Sequence, residues 1–296
     1  MADLSFSFVA TVLPEAGCDL KEWPGETLSV GHAISATLAA PSIDQAKSRI
    51  AEVWPGSTRD GVDVNGLPGP LRRRRLLIAD MESTIIEQEM LDELADFVGK
   101  RAEVEAITEA AMRGELDFEQ AINERVALLA GLDAAKLDDL IATRMTYSPG
   151  ARALVQTMKA NGATCALVSG GFTHFTQRVA DELGFDEHRA NTLEIEDGRL
   201  TGRVVPPILG RAAKLTALNE ITSRLGITRD DAIAVGDGSN DLAMLEAAGL
   251  GVAYRAKPAV RDAMAAHPTG AVVNYCDLTA LLYLQGYTEA DVRAGS

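Results

Sequence analysis

The stretch that decides the fold is Leu76-Leu77-Ile78-Ala79-Asp80-Met81-Glu82-Ser83-Thr84, an apolar run that ends in two carboxylates and two hydroxyls. Residues i and i+2 point to the same side while a chain is extended, so Asp80 and Glu82 could face one pocket where a strand becomes a loop. Buried carboxylates without partners are costly, so the pattern indicates a metal, a ligand or a reaction. Taken alone, a strand followed by an acidic turn explains the stretch equally well.

Further apolar, β-rich runs follow, and helical patterns separate several of them; the runs are residues 163–168, 232–236, 249–253 and 271–274. Strands that alternate with helices indicate a Rossmann-like, mostly parallel sheet with helices on both faces, so the predicted fold class is α/β. Ligands bind such sheets beyond the carboxyl ends of the strands. Three of the runs end in polar signatures, and we expect these ends to meet at one site.

Two insertions interrupt the alternation. Residues 88 to about 147 have helical spacing, which predicts a helical cap inserted after the first strand of the sheet. Its segments are expected near 88–98, 101–112, 117–129 and 134–144. Residues 192–205 alternate around Asp197-Gly198, which is a strong signal for a β-hairpin.

The first 70 residues differ from the rest. Residues 5–13 alternate as a strand does, and residues 42–53 have helical spacing. Proline and glycine are frequent over residues 55–70, which predicts a linker. We therefore predict a small N-terminal α/β domain over residues 1–70, with a regulatory role as one interpretation, and a larger domain over 71–296. The four arginines at 72–75 are interpreted as a solvated charge run.

The composition is that of a globular protein, with 47% hydrophobic and 24% charged residues. No apolar stretch reaches a membrane-spanning length, the N-terminus lacks a basic signal start, and three scattered cysteines favour reduced thiols. These features predict a cytoplasmic protein that does not bind membranes. A monomer or homodimer is expected, although none of these features gives the oligomeric state. The formal charge of −15 argues against nucleic acid as a partner. An anionic substrate would need basic residues or a divalent cation at the site.

Two later strands end in loops with binding character. In Ser169-Gly170-Gly171 the glycines allow close backbone approach, and the N–H groups could face an anion. A strand–helix turn capped by Ser169 is the alternative. After the next such strand, Asp237 and Asp241 are four residues apart, so a helix beginning there would place them on one side. We favour a site for Mg²⁺, which prefers oxygen ligands, over helix capping by Asp237.

Together these residues resemble the four ordered motifs of the haloacid dehalogenase-like phosphatases. The motifs are Asp80-Met81-Glu82-Ser83-Thr84, Ser169-Gly170-Gly171-Phe172, Lys214 (alone, an ordinary surface lysine) and Gly236-Asp237-Gly238-Ser239-Asn240-Asp241. Further matches are similar to the phosphoserine phosphatase family: Glu87-Gln88-Glu89, Ala111-Met112-Arg113-Gly114-Glu115-Leu116-Asp117-Phe118, Arg125-Val126 and Glu196-Asp197-Gly198-Arg199-Leu200-Thr201-Gly202. The resemblance covers about residues 75–285 and does not extend to the first 70.

The resemblance implies Mg²⁺-dependent hydrolysis of O-phospho-L-serine to L-serine and phosphate, the last step of serine biosynthesis. Asp80 would be the nucleophile that becomes an aspartyl phosphate. Mg²⁺ would be held by Asp80, the main-chain carbonyl of Glu82 and Asp237, with Asp241 in support. The residues implied to bind the phosphoryl group and substrate are Ser169, Gly170, Lys214 and Asn240.

The same resemblance gives the helical insertion a role as a cap that closes over the site and excludes water. Glu89 would bind the substrate ammonium. Arg125 would bind the substrate carboxylate, whose two oxygens match a guanidinium fork. Met112 and Phe118 would line the lid.

One residue departs from the family pattern, because the second carboxylate of the first motif is normally aspartate and here is Glu82. It would protonate the departing seryl oxygen and then activate water. Its stem is longer by one bond, about 1.5 Å, and a misplacement of about 1 Å can cost about 100-fold in rate. We expect an active enzyme, with reduced or altered turnover as one outcome.

Two alternatives remain open. One is a phosphatase or phosphotransferase that acts on another small phosphate ester; Glu89 and Arg125 favour an amino-acid substrate instead. The other is a catalytically silent protein that binds serine or phosphoserine. Glu82 is the feature that supports a silent protein, whereas intact Asp80, Lys214 and Asp237 favour an enzyme.

Overall fold

The computed structural model describes residues 4–12, 26–29, 33–40, 42–53, 60–112 and 115–295. Within them the strands are β1 (Leu4–Val12), β2 (Glu26–Ser29), β3 (Ala33–Ala40), β4 (Val62–Pro68), β5 (Leu76–Ala79), β6 (Thr164–Phe172), β7 (Glu187–Glu196), β8 (Arg199–Val205), β9 (Ala232–Gly236), β10 (Leu250–Tyr254) and β11 (Gly270–Val273). The helices are α1 (Ile43–Val53), α2 (Met90–Phe97), α3 (Arg101–Met112), α4 (Phe118–Ala127), α5 (Ala135–Arg144), α6 (Ala151–Ala160), α7 (Thr173–Leu183), α8 (Arg211–Leu225), α9 (Leu242–Ala247), α10 (Pro258–Ala266), α11 (Ala280–Tyr283) and α12 (Glu289–Gly295).

The larger sheet has the strand order β11-β10-β9-β5-β6-β7-β8. Its strands are parallel, apart from β8, which pairs antiparallel with β7. The central strands β5 and β9 are buried along their whole length, as expected for a parallel sheet with helices on both faces. The predicted α/β fold class is therefore confirmed.

The central strands bring the predicted motifs together. Strand β5 lies between β9 and β6, so the carboxyl ends of all three meet at one edge. The Asp80 N–H donates to the Val235 carbonyl at 3.0 Å, which ties the start of the first motif to β9. This edge is where a ligand site is expected in such sheets.

Strand β6 extends further than predicted. The expected end was residue 168, but the strand continues to Phe172, and α7 begins directly after it. The register with β7 shifts between Val168 and Phe172, so the turn Ser169-Gly170-Gly171 forms an irregularity within the strand. A bulge of this kind re-aims side chains without ending the strand.

The described residues of the predicted helical insertion form four helices, α2 to α5, between β5 and α6. The outgoing and returning chains meet in a short antiparallel bridge between Ile86 and Tyr147, and the Ser148 N–H donates to the Ile85 carbonyl at 2.9 Å. Helix α4 begins with a capping box of Asp117 and Gln120. Among the described residues, no helix is both long and apolar enough to cross a bilayer.

The predicted hairpin is formed by β7 and β8. Its turn has positive φ at Asp197 (48°) and Gly198 (75°), as a two-residue hairpin turn requires. Strand β8 also contacts the cap: the Gly131 N–H donates to the Leu200 carbonyl at 2.8 Å, and the Leu200 N–H donates to the Leu132 carbonyl at 2.9 Å. The cap is thus anchored to the hairpin as well as to its two connecting chains.

The smaller sheet is antiparallel, with the order β2-β3-β1-β4. The prediction of a linker over residues 55–70 was wrong for 62–68, which form β4. Strand β4 is an edge strand of this sheet, where Gly66 and the final Pro68 are tolerated, and pairing with β1 outweighs their local preference. The division into domains at residue 70 stays a prediction.

Side chains of β4 close the outer edge of the larger sheet. The Asp63 carboxylate accepts the N–H groups of Asn274, Tyr275 and Cys276 at 2.9 to 3.0 Å. The Asn65 amide donates to the Val272 carbonyl at 2.9 Å and accepts the Val272 N–H at 2.7 Å. Asn65 therefore takes the hydrogen bonds that another strand would make to Val272 of β11.

The interpretation of residues 72–75 as solvated was wrong for Arg74. Its N–H donates to Gln285 Oε1 at 2.9 Å, and its guanidinium donates to the carbonyls of Gly249, at 3.1 Å, and Asp230. Arg72 also donates to the Asp230 carbonyl. These backbone acceptors lie far away in the sequence, so a charge pattern could not reveal them.

Candidate active site

Three buried carboxylates meet beyond the ends of β5 and β9. Asp80, Asp237 and Asp241 each have an oxygen within 4.8 Å of the other two. Helix α9 begins only at Leu242, so a loop, and not the predicted helical turn, brings Asp237 and Asp241 together. Gly236 makes room for this, because a Cβ there would lie 2.3 Å from Asp241 Cγ.

Lys214 lies between two of these carboxylates. It comes from the first turns of α8, and its Nζ is 2.8 Å from Asp80 Oδ2 and 2.5 Å from Asp241 Oδ1. Only 3% of Lys214 is exposed. Burial acts to lower the pKa of Lys214, but the Asp241 and Asp80 carboxylates outweigh it and raise that pKa. The lysine is therefore charged, and its single positive charge compensates only part of the negative charge of the three carboxylates.

The carboxyl pKa values of the triad are raised by burial first and by the neighbouring negative charge second. Burial raises the pKa of Asp80 to about 8, Asp241 adds to the rise, and Lys214 opposes it. Burial also raises the pKa of Asp237 to about 6. A cation at the triad would offset the cost of burying these carboxylates in their charged form. A set of donors made only of oxygen atoms suits a hard divalent ion. The triad could therefore hold a metal ion.

Lys214→Met is expected to lower the free energy of unfolding by about 3–5 kcal/mol, because it leaves buried carboxylates without their cation. The measurement is urea unfolding in the presence of EDTA, so that no divalent ion replaces the lost charge. The matched control is Lys257→Met: Lys257 is 59% exposed, and its Nζ is 3.8 Å from Asp237 Oδ2. We expect this control to change stability by no more than about 0.5 kcal/mol. Equal losses in the two variants would contradict the prediction.

The second motif forms a small turn around Ser169, which is buried. The Gly171 N–H donates to Ser169 Oγ at 2.9 Å. A hydroxyl that accepts one hydrogen bond can still donate its own hydrogen. Ser169 can therefore donate to a ligand at this edge of the sheet.

Glu82 lies in the tight turn Met81–Ile85 that follows β5. Its Oε1 accepts the N–H of Met90, the first residue of cap helix α2, at 2.9 Å. The carboxylate lies against Gly171, where a Cβ would come within 2.8 Å of Glu82 Oε2. Burial, followed by the charge of Glu89, raises the pKa of Glu82 well above its usual value. A raised pKa shifts this carboxyl towards its protonated form, which is the form that can donate a proton.

The predicted cap residues Glu89 and Arg125 differ in burial. Glu89 is exposed, immediately before α2, and accepts the Ser83 hydroxyl at 2.8 Å. Arg125 lies near the end of α4; burial lowers its pKa, and the carboxylates of Glu82, Asp92 and Glu89 oppose that shift. The carboxylates of Glu82, Asp92 and Glu89 therefore lie close enough to Arg125 to interact with it electrostatically.

Phe118, the first residue of α4, reaches the turn of the second motif. A Cβ at Gly170 would lie 3.5 Å from Phe118 Cζ, and one at Gly210 would lie 3.4 Å from Cδ1. Asn240 is half-buried in the loop of the fourth motif, with its Oδ1 turned over Gly238. Met112 ends α3, and its side chain lies outside the described residues.

The segment of the chain that contains these motifs matches a known protein family. Residues 77–246 match the family model of the haloacid dehalogenase-like hydrolases. The chain belongs to the haloacid dehalogenase-like hydrolase family. This match includes the cap, the triad and Lys214, and leaves out the N-terminal sheet.

Relatives of this haloacid dehalogenase-like hydrolase include two bacterial phosphoserine phosphatases. The protein of Streptomyces coelicolor is 48% identical over 236 residues, which are 79% of this chain and 56% of that protein. The protein of Albidiferax ferrireducens is 48% identical over 215 residues, 70% of this chain and 91% of that protein. The chain thus spans little more than half of the first relative and most of the second.

A solved structure has the same fold. It is a phospho-aspartyl intermediate analogue of a phosphoserine phosphatase, 36% identical, with a TM-score of 0.65. The alignment covers 72% of this chain and 99% of that chain. The structural likeness therefore covers nearly three quarters of this haloacid dehalogenase-like hydrolase and almost all of the solved chain.

Two charged residues near the site of this haloacid dehalogenase-like hydrolase were not predicted. Lys257 follows β10, and its N–H donates to the Asp237 carbonyl at 3.0 Å. Asp92 lies in the first turn of α2, and burial, followed by the charge of Glu89, raises its pKa. Lys257 could have been found from its position after a parallel strand. Asp92 could have been found from its i, i+3 spacing from Glu89.

Proposed function

We propose that this protein is a Mg²⁺-dependent phosphatase that hydrolyses O-phospho-L-serine to L-serine and phosphate through an aspartyl phosphate. One observation carries the proposal: Asp80 ends the central strand β5 with Lys214 at 2.8 Å, and Ser169 and Asp237 occupy the neighbouring strand ends. A carboxylate in that position has charge-stabilising groups around the place where a phosphoryl group would transfer. The phosphoserine phosphatases among its relatives support the choice of substrate.

In the first step, a carboxylate oxygen of Asp80 forms a bond to phosphorus, and the bond from phosphorus to the seryl oxygen breaks. Glu82 gives its proton to the seryl oxygen, a role that fits its raised pKa. L-Serine leaves, and the phosphoryl group remains on Asp80.

In the second step, Glu82 is a carboxylate and takes a proton from a water molecule. The water oxygen forms a bond to phosphorus while the bond to Asp80 breaks. Phosphate is released, and Asp80 and Glu82 return to their starting states.

The chain supplies donors for the phosphoryl oxygens throughout both steps: the Lys214 ammonium, the Ser169 hydroxyl and the Gly170 N–H. Asp80, Asp237 and the main-chain carbonyl of Glu82 would hold Mg²⁺, with Asp241 in support. When bound, Mg²⁺ would neutralise negative charge on the nucleophile and the transferring group. The three crowded carboxylates with raised pKa values support this cofactor.

The cap would select the serine part of the substrate. Arg125 would pair with the substrate carboxylate and Glu89 with its ammonium, while Phe118 and Met112 close the lid. The partly buried guanidinium of Arg125, with several carboxylates nearby, supports this assignment. A cytoplasmic location and a monomeric or homodimeric state stay predictions.

The test is release of inorganic phosphate from O-phospho-L-serine, with Mg²⁺ and with EDTA. We expect turnover with Mg²⁺ and loss of turnover with EDTA, because charge at the triad is then unbalanced. Glycerol 3-phosphate serves as a matched phosphate ester that lacks the groups expected to pair with Glu89 and Arg125.

Three outcomes would contradict the proposal. Faster hydrolysis of glycerol 3-phosphate would indicate another small ester as the substrate. Phosphoserine binding without phosphate release would indicate a silent binding protein. Full activity in EDTA would remove the divalent cation from the reaction.

A further inference from the structure

We propose that Asn191, in β7, is a positioning residue that sets the geometry of the phosphoryl-binding groups; this inference rests on the function proposed above. Asn191 bonds to backbone groups of two segments. One segment carries Ser169 and Gly170, and the other leads into the helix that carries Lys214.

The Asn191 amide bridges these two segments directly. Its Nδ2 donates to the Gly170 carbonyl at 2.8 Å and lies 3.4 Å from the Leu209 carbonyl, and its Oδ1 accepts the Leu209 N–H at 2.7 Å. The residue is only 1% exposed, so water does not compete for these hydrogen bonds. Two chain segments of the site are thus joined through one side chain.

The bridge is needed because the sheet ladder is interrupted here. Asn191 pairs in register with Phe172, but the register shifts between Val168 and Phe172. The Gly170 carbonyl is bonded by the Asn191 side chain in this irregular part of the ladder. Glycine also has the most permissive backbone conformation, so a hydrogen bond from outside the turn restricts the conformation of Gly170 and Gly171.

The hydrogen bond to Gly170 also directs Ser169. The peptide between Gly170 and Gly171 is planar, so a fixed carbonyl fixes the N–H on its opposite side. That N–H belongs to Gly171 and donates to Ser169 Oγ at 2.9 Å. Because Oγ already accepts this bond, its hydrogen is available for a phosphoryl oxygen. Asn191 therefore orients the Ser169 hydroxyl through one peptide group.

The other end of the bridge sets the position of Lys214. Leu209 is followed by Gly210, and α8 begins at Arg211, so Lys214 lies one turn into the helix. Fixing the Leu209 N–H holds the start of α8 at a set distance from the Ser169 turn. Errors of about 1 Å between such groups can cost about 100-fold in rate.

The cap uses the same bridged segments. The Phe118 ring lies against Gly170 and Gly210, one on each side of the bridge. Asn191 therefore supports the surface on which Phe118 rests, and its loss would change how closely the cap approaches the phosphoryl site.

Asn191→Leu tests the inference, because it keeps the approximate shape and removes the hydrogen bonds. We expect the Kd for inorganic phosphate, measured by calorimetry with Mg²⁺, to rise at least about tenfold, with an equal or larger fall in kcat/KM for phosphoserine. The matched control is Asn65→Leu, which removes a similar buried amide bridge, to Val272, away from the site. This control is expected to lower Tm without changing the Kd for phosphate.

Asn191→Ser is the second variant, because its smaller side chain leaves room for water between Gly170 and Leu209 and favours folding. We expect a change of Kd in the same direction. A folded Asn191 variant with Kd and kcat/KM within about twofold of the parent would overturn the inference. If the parent neither binds phosphate nor hydrolyses phosphoserine, the proposed function fails, and this inference fails with it.

Discussion

Asp80→Asn is expected to lower phosphate release from O-phospho-L-serine by at least about 10⁴-fold, because an amide cannot become an acyl phosphate. The substitution keeps the side-chain shape and removes one of three crowded carboxylates, so the fold should be retained. The measurements are kcat by phosphate release and mass spectrometry of acid-quenched protein, which should detect a phosphoryl group on the parent alone.

The control for Asp80 is the same chemical change at an exposed position. Asp262, in α10, has a side chain that is 77% exposed, and Asp262→Asn should keep the turnover of the parent. Undiminished turnover by Asp80→Asn would remove Asp80 from the nucleophilic role. So would a phosphoryl group trapped on a different residue.

Glu82→Gln is expected to cause the second-largest loss of activity, a fall of about 10²–10⁴-fold in kcat. Glutamine keeps the length of the side chain, and its oxygen can still accept the Met90 N–H, but it can neither give nor take the proton. The effect on the first step should shrink with 4-nitrophenyl phosphate, whose leaving group needs little help from an acid. Single-turnover kinetics with the two substrates measure this difference.

The control for Glu82 restores the residue that the family normally has. Glu82→Asp keeps a carboxylate and should remain active. Because the aspartate side chain is shorter, its carboxylate would lie further from Gly171. If Glu82→Gln turned over phosphoserine as fast as the parent, Glu82 would not be the acid–base residue.

Much of the larger sheet could be predicted because its signals are local. The apolar run of residues 232–236 is β9 without change, and Asp197-Gly198 marks the hairpin turn. Strand β4 was missed because Gly66 and Pro68 are breakers by local preference. Only pairing with β1, which is distant in sequence, turns this segment into a strand.

The site was predictable where a motif ends a strand, and less so elsewhere. Asp80 and Asp237 follow apolar runs, so their meeting at one edge follows from a parallel sheet. The Met90 N–H that holds Glu82 has no sequence signature, because every residue except proline offers the same donor. Asn191 acts on carbonyl and amide groups that only the folded chain brings near it.

The contact of β4 with β11 has a consequence for how this protein can change over generations. A segment on a loose tether can be lost, duplicated or exchanged by recombination without harm to its neighbour. Here Asn65 satisfies the backbone groups of Val272 that an open β edge would offer to other molecules, and open edges promote self-association. A version of this chain without the first 70 residues would therefore need a new cover for the same edge.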